Sequence, residues 1–198
     1  MYLDAFHAVE LIDFSYFAAN RYPWRGSNIT RTEHLDMVWH YFTGATYLYL
    51  ERNKTLLNTF NDLVDPFDLG EKESVGRRLT DIRAQLGDYI RARGTMFHEH
   101  TSMHDSVHTL AMVSVLAEND PTYADRVEGF FQDAKYDLRK QIGDARTFCL
   151  KDFAALTERL TGRLEMIVAT SENLQRLHLG NPVVELEGLT RPKPDQWI

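Results

Sequence analysis

The sequence predicts an all-α protein, a helical bundle of about five or six helices, several of them long. Three observations predict it. Apolar residues recur three or four apart over most of the chain. The only strand-like run is the short Val183–Leu186, which excludes parallel-sheet folds. Proline and glycine fall between the periodic stretches, at Pro23 and Gly26, Pro66 and Gly70, Pro121, and Gly180 and Pro182. With 198 residues, of which 43% are hydrophobic and 26% charged, the chain can bury a core without covalent staples. Cys149 is the one cysteine, so no intrachain disulfide forms. The expected organisation is one bundle domain over 1–180 and an extended tail over 181–198.

Each element is set by local pattern. A first helix covers Leu3 to Tyr22 and ends at the Pro23–Gly26 loop. A second begins near Thr30 or Thr32, either a suitable cap, and carries Leu35, Val38, Phe42, Ala45, Leu48, Leu56, Phe60 and Leu63 before stopping ahead of Pro66. A third is amphipathic through Leu79, Ile82, Leu86 and Ile90, with a break expected at Gly94, where glycine costs a helix about 1 kcal/mol relative to alanine. A fourth is expected from Thr101 or Ser102, with Asp105 three residues on as a capping partner, through Val107, Leu110 and Val115 to Glu118. Asn119-Asp120-Pro121 starts a last helical stretch. Its apolar positions run from Val127 through Leu138 and Leu156 to Leu174, as one helix or as two broken near Gly143 or Asp152.

Lysine and arginine number 22 against 29 acidic residues, a net charge of −7. A protein that coats nucleic acid indiscriminately is normally basic, so any RNA contact is expected to be local. The Met1-Tyr2-Leu3-Asp4 start lacks the charge and apolar run of a secretory signal. The most apolar run, Leu110 to Ala117, is too short to span a bilayer. A cytoplasmic protein without membrane contact is expected. No P-loop, Gly-x-Gly-x-x-Gly or Gly-x-Ser-x-Gly motif occurs, so nucleotide-cofactor and serine-hydrolase chemistry have no support and no cofactor is expected.

Chemistry concentrates between Tyr89 and His108, where four of the eight histidines (His98, His100, His104, His108) fall within eleven residues. Arg93 and His98 are five apart, about 140° around a continuous helix, and meet only if the chain turns at Gly94. Side by side, a guanidinium that grips phosphate oxygens and an imidazole that moves protons near neutral pH can cleave RNA without metal.

Here the chain resembles the HEPN superfamily, whose signature is an arginine, four to six residues, then a histidine. Arg93 to His98 fits at four and Arg91 to His98 at six, and Phe97-His98-Glu99 is similar to the family's apolar-His-Glu ending. The residue after the arginine, usually polar in the family, is Gly94. The resemblance implies a helical bundle, a homodimer that brings two motifs into one cleft, and metal-independent endoribonuclease activity in toxin–antitoxin or phage-defence systems. A cognate antitoxin or other protein partner, and RNA, are then the expected partners. Arg93 would bind phosphate and His98 would act as general acid/base. Glu99 would orient neighbouring groups, and His100 and Arg91 would support them.

Two other readings compete. His104 and His108, four apart with Asp105 between them, have the spacing of two ligands for a divalent metal, with His100 as a third; this segment is similar to that of HD-domain phosphohydrolases. Alternatively, the arginines form a solvated face and the histidines cap a helix, leaving a non-catalytic interaction and dimerisation protein. The five arginines of 77–93, set against Asp81 and Asp88, would collect an RNA backbone in the first reading and pair across helical turns in the last. Trp39, Tyr41, Phe42, Tyr47 and Tyr49 cover more than one helical face, which suits a helix buried from two sides, by core and by dimer partner. Cys149, between Phe148 and Leu150, is expected to act as a small buried hydrophobe.

Overall fold

The computed structural model describes residues 1–21, 28–67, 72–99 and 103–180, without the side chains at 66, 72–74, 96–99 and 172–180. Five α-helices account for nearly all of it: α1 (Tyr2–Asn20), α2 (Arg31–Val64), α3 (Lys72–Glu99), α4 (Asp105–Asn119) and α5 (Ala124–Gly180). A short 3-10 turn at Asp65–Phe67 extends the end of α2, and another at Pro121–Tyr123 joins α4 to α5. Among the described residues there is no strand. The protein is an all-α bundle.

Of the two caps expected for the second helix, Thr30 is the one used. Its hydroxyl accepts from the Glu33 amide while the Glu33 carboxylate accepts from the Thr30 amide, a reciprocal capping box. Asp120 caps the Pro121 turn through the Thr122 amide. The expected break at Gly94 is absent, and of the alternatives left open for the last stretch the single helix is the one formed. α3 continues through Gly94 to Glu99, and α5 continues through Gly143 and Asp152. At Gly94 the roughly 1 kcal/mol glycine cost is outweighed because Tyr89 and Arg93, five residues and one residue before it, pack on α2. At Gly143 the glycine serves packing: a Cβ there would lie 3.3 Å from a ring carbon of Tyr16 on α1.

Residues Met1–Leu160 form one compact unit and Thr161–Ile198 a second. Within the second, the described backbone is helical to Gly180, with Leu164, Met166 and Val168 exposed. The expected tail over 181–198 lies outside the described residues.

In the first unit, side-chain pairs fix the helix directions. Tyr2 meets Thr157, Phe6 meets Phe153 and Asp13 meets Arg146, so α1 runs antiparallel to α5. His34 bonds the Ala18 carbonyl and Phe14 packs on Tyr41, which sets α1 antiparallel to α2. Arg31 pairs with Glu128 and Tyr49 with Asp152, so α2 and α5 run in parallel. α3 and α4 both run against α5, Arg78 reaching Asp152, His104 reaching Gln141 and Ser106 reaching Asp137. The two therefore share one arm of a four-armed bundle, interrupted between Glu99 and Asp105. Its core holds Ile12, Leu35, Phe42, Tyr49, Ile82, Leu86, Leu110, Leu138, Ile142 and Leu156, all fully buried.

Candidate functional site

The unbroken α3 changes the geometry at the arginine–histidine motif. On a continuous helix, positions 93 and 98 stand about 140° apart, so the expected bend at Gly94 does not bring them together. Arg93 has another neighbour: its guanidinium lies 3.8 Å from the centroid of the Tyr47 ring. Helical side chains lean toward their own N-terminus, so in the antiparallel α2/α3 pair these two lean toward each other and stack. Arg91 is exposed and pairs with Asp88 one turn back. Positions 91 and 98 are seven apart, within about 20° of two full turns, and share a helical line. The side chains of His98 and Glu99, and all of His100, lie outside the described residues.

The start of α4 also differs from expectation. Its cap is His104, not Thr101 or Ser102, which lie outside the described residues. His104 Nδ1 accepts from the Ser106 amide at 3.3 Å, and the Gln141 carboxamide lies 2.8 Å from Nε2. Trp39 stands edge-on to the ring at 4.9 Å, and Trp39 also packs on Phe42 and Tyr89. The imidazole is 8% exposed. Burial lowers its pKa, against the raising effects of Gln141, Asp105 and Asp137, so it stays neutral at pH 7.

This arrangement does not bring together those members of the metal reading that lie among the described residues. His104 is turned into the bundle with both ring nitrogens engaged, while Asp105 and His108 face solvent. The three do not converge. Among the described residues no group of three histidine, cysteine, aspartate or glutamate side chains is placed to hold a metal.

The arginines of α3 divide. Arg77, Arg83 and Arg91 are exposed. Arg78 is drawn inward, its Nη2 donating to both the carboxylate and the main-chain carbonyl of Asp152, each at 2.7 Å. Tyr49 donates to the same carboxylate at 2.6 Å. The arginine and aspartate side chains are only 12% and 14% exposed. Burial raises the Asp152 pKa, although the bonds from Tyr49 and Arg78 pull it down. Burial and the neighbouring carboxylate push the Tyr49 phenol up, and burial does the same to the Cys149 thiol. Cys149 is fully buried, as expected of a small hydrophobe.

Sequence reasoning missed this network, although a signal existed. Asp152 falls on the stripe of Ala145, Cys149 and Leu156, and Arg78 falls one turn before Ile82, so two opposite charges lie in phase with the core. The aromatic patch on α2 divides too. Trp39, Phe42 and Tyr49 are buried, Tyr41 is 46% exposed, and Tyr47 lies beneath Arg93.

No helix among the described residues is long and apolar enough to cross a membrane. No protein-family model matches the chain, and no curated protein or solved structure matches it either.

Proposed function

We propose that this chain is a helical interaction protein that works as a homodimer, pairing through the outer face of α1 and α2. One observation carries the reading: these helices are apolar toward solvent as well as toward the core. Phe14, Phe17, Met37 and Tyr41 are 58%, 50%, 57% and 46% exposed, and Phe14 packs edge-on against Tyr41 across the two helices with centroids 5.5 Å apart. An apolar surface on both sides marks a helix covered from two sides. At about 200 Å² per large side chain, these four expose on the order of 400 Å², the size of a functional patch. Two copies related by a two-fold axis would cover on the order of 800 Å² from these residues alone, and a polar rim completes a standard interface of about 1,200–2,000 Å².

Sedimentation equilibrium at micromolar concentration tests this. The parent is expected at twice the chain mass, and Phe14→Glu/Tyr41→Glu at the chain mass with unchanged helical circular dichroism. A monomeric parent, or a variant that still pairs, overturns the proposal.

A second reading, metal-independent RNA cleavage as in HEPN proteins, is favoured by one observation: Arg91 is solvent-exposed and shares its helical line with position 98. Under that reading the parent cuts RNA in EDTA, and Arg91→Ala and His98→Ala abolish cutting while Arg93→Ala, whose guanidinium is stacked on Tyr47, retains it. An EDTA-treated parent that leaves RNA intact removes the reading.

A further inference from the structure

On the α5 side of α1, an open groove of about 380 Å³ is lined by Tyr16 of α1 and by residues 136–147 of α5. Cations and aromatic rings alternate along it. Arg139 lies 5.6 Å from the Tyr16 ring centroid, its Nη2 donating to the Tyr16 hydroxyl at 3.4 Å. Arg146 approaches the same ring at 5.2 Å and pairs with Asp13. Tyr136 is 66% exposed and offers a free ring face. Among the described residues neither Arg139 nor Lys140 makes an ion pair with a carboxylate. Asp144 is the one acid in the lining. The floor depends on Gly143, because any side chain there would press on Tyr16.

From this juxtaposition we infer that the groove binds a nucleotide unit, a phosphate held by Arg139 and Lys140 with a planar base stacked on Tyr136 or Tyr16. The chemistry suits the residues. Arginine and lysine take phosphate oxygens, and an exposed tyrosine ring stacks on any base. The volume falls in the range of small-ligand sites, about 300–1,000 Å³. A local site of this kind is compatible with a chain of net charge −7, since it needs only a few phosphates neutralised. The source of the unit is a free nucleotide or a single-stranded RNA. The inference does not require the dimer: Phe14, Phe17, Met37 and Tyr41 do not line the groove, and Phe17 adjoins it through Arg146.

Fluorescence anisotropy of a labelled ten-residue uridine oligonucleotide, with uridine monophosphate as competitor, tests it. The parent binds the oligonucleotide, with affinity falling as salt rises. Arg139→Glu/Lys140→Glu weakens binding at least about tenfold, and Tyr136→Ala at least about fivefold, the loss of one stacked base. Both changes are at exposed positions of α5, and melting curves confirm folding. Displacement by the monophosphate assigns the site to a single nucleotide; failure of the monophosphate to displace assigns it to the polynucleotide backbone. Three results overturn the inference. They are no binding by the parent at low salt, undiminished binding by the charge-reversed variant, and an equal loss from the control Arg77→Glu/Arg83→Glu on α3.

Discussion

Asp152→Ala is expected to lower the stability of the bundle by about 3–5 kcal/mol, the cost of leaving one member of a buried ion pair behind. The stranded group is Arg78, whose guanidinium would keep its place between α3 and α5 with no anion to meet. Tyr49 would lose its acceptor at the same time. For a domain of this size the change displaces the thermal midpoint by roughly 10 °C. The informative companion is Arg78→Met/Asp152→Leu. Replacing both charges with apolar groups of similar volume is often neutral or stabilising, so the double variant should recover most of the loss in urea unfolding. A single variant that costs less than about 1 kcal/mol, the worth of a surface pair, would show that the network holds nothing together.

Trp39→Ala should cost a similar amount, about 3–5 kcal/mol, because the indole is 6% exposed and touches Phe42, Tyr89 and His104. It should also change the response to acid. An unfolded histidine titrates near 6.5, and burial holds His104 below that in the fold. As the pH falls through 6.5 the unfolded chain therefore takes the proton first, and stability drops until the folded ring is protonated as well. Above 6.5 the contribution is fully present. His34, also lowered by burial, acts in the same direction. Urea unfolding at pH 7.5 and pH 5.5 should thus show a weaker fold at the lower pH. His104→Gln should remove part of the difference, and Trp39→Ala, by wetting the ring, should reduce it as well. Equal pH sensitivity in parent and His104→Gln would show that the imidazole is not the group responsible.

The helices were legible because periodicity and capping are local. Thr30 with Glu33, and Asp120 with Pro121, announce helix starts within four residues. The breaks were less legible because glycine is a weak breaker whose effect depends on distant packing. At Gly143 the deciding atoms belong to Tyr16, far away in sequence. The neighbour of Arg93 was not legible for the same reason: the ring that takes its guanidinium sits on another helix. His104 looked like a metal ligand because spacing reveals which residues are neighbours along a helix and not which way a cap residue turns. Burial by Trp39 and the bond to Gln141 turn it inward. The Arg78–Asp152 pair was readable in principle from charges in phase with apolar stripes, although nothing local says that two such stripes face each other.

The seating of α1 has a consequence for synthesis. Its partners Arg146, Phe153 and Thr157 are made last within the compact unit, so α1 can close on α2 early but has no final arm to meet until those residues emerge. At about 5–20 residues per second that interval is roughly 6–30 s, during which the side of α1 that faces α5 is exposed to solvent and to any chaperone that binds apolar segments. Early termination before residue 146 would leave a chain with no place for α1 on the final arm, and such fragments should be cleared rather than accumulate.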